Sequence, residues 1–184
     1  MLFIIEFKFL IMDELNTPVG AGDHIQGKPS ATITLLEYGD YQSSHCGEAY
    51  LLIKKLIKEF HDELLFVFRN FPDEAQPESM IAAQAVEAAG LQNKFWEMHD
   101  LIFEQQEQLT DDNLIYFAES LNLDTAQFEN DRGSQNVLSK IESDIESGIR
   151  SEVEVTPTFF IDDKRLENYD ETYESLANAI RKAE

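Results

Sequence analysis

One stretch constrains the fold more than any other. Within residues 31–72 a strand pattern, a helix pattern and a second strand pattern follow one another with short joins. "ATITLLEYG" (31–39) is a continuous β-branched and apolar run, expected of a strand buried on both faces. Gly39 and Asp40 break it. From Ser44 to Phe60 the residues Ala49, Leu52, Ile53, Leu56, Ile57 and Phe60 recur at three- and four-residue spacing, which predicts an amphipathic helix. "LLFVFRNF" (64–71) is a second strand, closed by Pro72. A strand, a helix and a strand so joined imply a parallel pair with a right-handed crossover.

The remainder changes character. Residues 16–30, "NTPVGAGDHIQGKPS", are rich in glycine, proline and polar side chains and read as an irregular lead-in. Residues 79–90, 94–105, 111–121, 124–131 and 135–147 carry helical periodicity or composition, several starting with a Ser, Thr or Asp suited to an N-cap. "TPTFFID" (156–162) returns to strand, Asp162-Asp163 makes a turn, "KRLEN" (164–168) makes a short partner strand, and residues 170–183 form a last helix. The order is βαβ, helices, ββα. Residues 1–30 are expected to be an extension and lead-in, and 31–184 one α/β domain. Its core is expected at 31–74 and 153–184, with a helical insertion at 75–152.

With 184 residues the chain has the length for one domain with a sizeable core. Thirty-six acidic against 14 basic residues give a formal net charge of −22, a field that repels nucleic acid and anionic membrane surfaces. A solvated acidic surface is the plain reading; adaptation to salt or recognition of a basic partner are the others. One cysteine permits no disulfide within the chain. The opening "MLFIIEFKFLIM" carries Glu6 and Lys8 within its apolar run, lacks the marks of an export signal and is too short to span a bilayer. Met12 is an alternative initiator, and a cytoplasmic setting is expected.

Five segments together resemble the DsbA-like thiol–disulfide oxidoreductases: "EYGDYQSSHCGEAY" (37–50), "FVFRNFP" (66–72), "AAQAVEAAG" (82–90), "KFWEMHDLIFEQQ" (94–106) and "VTPTFFID" (155–162). The resemblance implies a thioredoxin-like fold with a helical insertion. It places Ser43 where the family has its nucleophilic cysteine, Cys46 at the resolving cysteine, and Ser44 and His45 as the tuning residues between them. It also implies that Thr156-Pro157 is a cis pair facing that turn and, with Ser44, contacting substrate. Serine does not ionise usefully near neutral pH and forms no disulfide, so two-cysteine cycling is closed to this chain. Ser43 would still serve as an N-cap. Cys46 is read either as a packed, inert thiol or as a monothiol that forms mixed disulfides.

Other candidates are weaker. His24, His61 and His99 share no metal-ligand spacing with one another or with Cys46, so no metal is expected, and no cofactor. His99, with Phe95, Trp96 and Phe103, reads as packed core. Glu37 is either a solvated strand-end residue or a buried proton relay. Three functions compete. The first is an oxidoreductase-family domain silenced or made monothiol by Ser43, natural or engineered, with a protein thiol or disulfide as substrate. The second is a peptide-binding, chaperone-like module. The third is a glutathione-dependent transferase or isomerase using Ser43.

Overall fold

The structure is a computed structural model and describes residues 14–183; the opening run with Met1 and Met12 lies outside them. Five strands, β1 (His24–Gln26), β2 (Ile33–Gly39), β3 (Leu64–Asn70), β4 (Thr158–Ile161) and β5 (Lys164–Arg165), form one sheet in the order β1-β3-β2-β4-β5. β2 and β3 run parallel, Ile33 beside Leu64 and Gly39 beside Asn70, and the other pairings are antiparallel. Seven helices complete the fold: α1 (Ser44–Phe60), α2 (Pro77–Gly90), α3 (Phe95–Glu104), α4 (Asp111–Ser120), α5 (Thr125–Arg132), α6 (Gln135–Arg150) and α7 (Tyr173–Ala183). Helices α2 to α6 all lie between β3 and β4 in the chain. The α/β class read from the sequence holds.

The pleat of β2 explains why its whole length is apolar. Ile33 and Leu35 enter a large core with α1, α3 and α7, while Leu36 and Tyr38 enter a smaller core with Val67, Val153 and Phe160. Each such aliphatic residue taken fully from water contributes about 1.5–3 kcal/mol. α1 crosses from β2 to β3 with Cys46, Ala49, Tyr50, Ile53, Leu56 and Phe60 facing inward. It ends at His61, whose φ of 42° sits in the left-handed region and leads into a short 3-10 turn, His61–Glu63.

Three expectations need correction. The lead-in at 16–30 is not irregular throughout, because His24–Gln26 pairs with Phe66–Phe68 as an edge strand. Its backbone bonds, not a hydrophobic pattern, create it. The partner strand at 164–168 is only Lys164–Arg165. α6 continues past 147 to Arg150, since Gly148 lies buried against Phe71 and Tyr38 and the helix passes close over both rings.

Candidate functional site

The turn between β2 and α1 is fixed from several directions. Ser43 is the N-cap of α1, and its Oγ accepts from the Cys46 N–H at 3.4 Å. The same hydroxyl donates to the Thr156 carbonyl at 3.2 Å, joining the turn to the segment before β4. Gln106, just after α3, donates from Nε2 to the carbonyls of Tyr41 (2.9 Å) and Ser43 (2.7 Å). Asp40 is buried beneath the turn, where it accepts from the Gln42 and Asp73 N–H groups and from Ser79 Oγ. Neither Gln106 nor Asp40 was singled out from the sequence. Asp40 lies inside one quoted segment and Gln106 ends another, but nothing in either marks a bond to the turn, because only the tertiary fold brings Gln106 there.

Cys46 lies one turn inside α1 and is fully buried. The Asp40 N–H points at its Sγ from 3.4 Å. Burial, then the neighbouring Glu37 carboxyl, push the thiol well above the ordinary cysteine range, so a thiolate is disfavoured. Glu37 is itself 1% exposed, which overturns the solvated strand-end reading. It points with Ile33 and Leu35 to the large-core face rather than to water. Burial raises its pKa to about 8, partly offset by a hydrogen bond with Cys46, and its Oε1 has no partner among the described residues. At neutral pH this carboxyl is mostly protonated.

Above these buried groups runs an open groove of about 1010 Å³. Ser43, Ser44 and His45 form one side, Thr156 and Pro157 the other, and the Thr156–Pro157 peptide bond is cis. The groove therefore gathers Ser43, Ser44, His45, Thr156 and Pro157, and leaves Cys46 below its floor. His45 is exposed and its Nδ1 lies 2.9 Å from Glu171 Oε1. Glu48 joins them, and one ligand atom from each of the three falls within 4.8 Å of the others, all on exposed side chains. No local pattern signals this grouping, since Glu171 is remote along the chain.

The other histidines are structural. His99 is buried, bonds Tyr41 Oη through Nδ1 at 2.9 Å and packs among Phe68, Trp96 and Phe103. Burial lowers its pKa to about 3, so it stays neutral. His24 stacks on Phe95 with its Nε2 2.8 Å from Glu87. His61 caps α1.

A family model described as thioredoxin matches residues 20–182. The chain belongs to the thioredoxin family. Among solved structures, this thioredoxin-family chain is similar to oxidised BdbD from Bacillus subtilis, with TM-score 0.79, 25% identity, and 88% of this chain and 92% of that one covered. It also shares the fold of the thiol-disulfide exchange protein alpha-DsbA2 from Wolbachia pipientis, with TM-score 0.76, 16% identity, and 89% and 88% covered. The fold is of the DsbA type. Among curated proteins it is 36% identical over 154 residues to a Na(+)/H(+) antiporter, NhaA 1, of Salinispora arenicola. That match takes in 83% of this chain but only 24% of the antiporter, so the chain spans about a quarter of that relative's length. No helix among the described residues is long and apolar enough to cross a membrane.

Proposed function

We propose that this chain is a redox-silent member of the DsbA-type thioredoxin family that holds extended polypeptide segments without covalent turnover. The observation that carries this reading is the burial of Cys46, the chain's one cysteine, beneath an open groove whose rim carries Ser43 instead of a thiol. Thiol–disulfide exchange needs an accessible thiolate and a second sulfur to release the product. The groove keeps what non-covalent binding requires: the α1 N-terminus, with Ser43, Ser44 and His45, opposite the backbone at Thr156-Pro157. A peptide strand laid between them would be recognised chiefly through its main chain.

The cytoplasmic setting belongs to this proposal, since a lone buried thiol needs no oxidising compartment. The antiporter relative supports reading the region as a module that also occurs attached to a transporter. A glutathione-dependent activity using Ser43 is the weaker alternative. Glutathione carries two carboxylates, and among the described residues no Lys or Arg lines the groove.

The test compares the parent with Ser43→Cys in insulin reduction, and measures parent binding to a permanently unfolded polypeptide with its cysteines blocked by neutral carbamidomethyl groups, by fluorescence anisotropy. The parent should be silent in reduction and bind the polypeptide, while the variant gains turnover through a 43–46 disulfide. Turnover by the parent, or no binding by it, would overturn the reading.

A further inference from the structure

The groove has a charge of one sign. Four exposed carboxylates, Asp73, Glu74, Glu154 and Glu171, border it, and no Lys or Arg among the described residues does. Between them stand two exposed apolar side chains, Ile149 at 61% and Val155 at 69% accessibility. The carboxylates come from the loop after β3, the segment before β4 and the loop before α7, so they surround the Ser43–Thr156 contact from different sides. Asp73 is held below the ordinary carboxylate range by the Ala75 N–H and then the Gln76 amide, and it is ionised throughout the neutral range. Only His45 offers a balancing group, and it already faces Glu171.

Resting on the peptide-binding reading above, we infer that the groove selects basic extended polypeptide segments, in which Lys or Arg side chains alternate with aliphatic ones. In an extended strand successive side chains point to opposite faces. One set can then reach the carboxylate border while the other covers Ile149 and Val155. Such a segment brings the charge the groove lacks, whereas an acidic segment meets repulsion on every side. At ionic strengths near 0.1 M such a field is felt over about 10 Å. Selection of this kind acts on partner choice and on the rate of encounter.

The experiment uses three fluorescent peptides of equal length and aliphatic content, with Lys, Ser or Glu at the alternate positions, titrated by anisotropy at low and high salt. The Lys peptide should bind at least about tenfold tighter than the Ser peptide at low salt, with the gap closing as salt rises. A combined D73N/E74Q/E154Q/E171Q variant should lose that preference. A control neutralising four exposed carboxylates of the helical insertion, E107Q/D112N/E119Q/E129Q, changes net charge equally and should keep it. Equal binding of the three peptides overturns the inference, as does an equal loss in the control, which would assign the preference to the overall charge. If no peptide binds at all, the peptide-binding reading fails instead.

Discussion

At the scale of single residues, Glu37 has the most measurable consequence. Its pKa in the folded protein is about 8 because the carboxylate would be desolvated. A carboxyl in the unfolded chain releases its proton near pH 4.5. Between those values the folded state holds a proton that the unfolded state has lost, so stability falls as pH rises through the window. Below it both states hold the proton and the stability is fully retained. Glu37→Gln keeps the shape and removes the titration. Relative to the parent, the variant should gain more stability near pH 9 than near pH 5, by up to a few kcal/mol at ~1.36 kcal/mol per pKa unit. Urea unfolding of both proteins at the two pH values checks this; a difference that does not change with pH rules it out. The same desolvation lifts the Cys46 thiol, so one property of the site restrains both Glu37 and Cys46.

At the scale of elements, one buried side chain ties the segment before β1 to the sheet at several points. Arg69, buried on β3, donates from Nε and Nη2 to both carboxylate oxygens of Asp23 (2.8 and 3.0 Å), and it also reaches the Thr17 and Pro18 carbonyls and Tyr38 Oη. Burial alone would raise the Asp23 pKa, but the Arg69 hydrogen bond and charge hold it below the ordinary carboxylate range. Removing one partner leaves a buried charge without its counterion. Asp23→Asn should therefore cost about 3 kcal/mol in urea unfolding, with much of it recovered in Asp23→Leu/Arg69→Met, which removes both charges. A single variant as stable as the parent would show that the pair is not needed. This strap marks where reading from the sequence stops. α1 was legible because its apolar spacing and Ser43 cap are local, and β2 because a strand buried on both faces must be apolar throughout. β1 was not, since its three residues offer one aliphatic side chain, Ile25, and no alternation to count. Sequence alone leaves Glu37 open between solvated and buried places, because a carboxylate beside a turn is ordinarily solvated and only the pleat decides which face it takes. Ser43 and the Thr156-Pro157 segment could be named from motifs, while Gln106 and Glu171 reach the site through tertiary contacts with no local trace.

Over the whole molecule the formal net charge of −22 acts as self-repulsion in the compact state. Added neutral salt screens it. The thermal midpoint should rise by a few degrees between low and moderate sodium chloride, at about 2–4 °C per kcal/mol for a domain of this size; a flat or falling midpoint by calorimetry would show that the charges are already balanced locally. The insertion has a second whole-molecule effect. Gln106 grips the Tyr41 and Ser43 carbonyls from far along the chain, so part of what holds the turn does not depend on which side chain stands at position 43. Most serine codons differ from a cysteine codon by one base. Should Ser43→Cys gain turnover as the proposed function expects, a lineage carrying this domain could abandon sulfur chemistry and recover it by one substitution, with Gln106 still holding the turn in either condition.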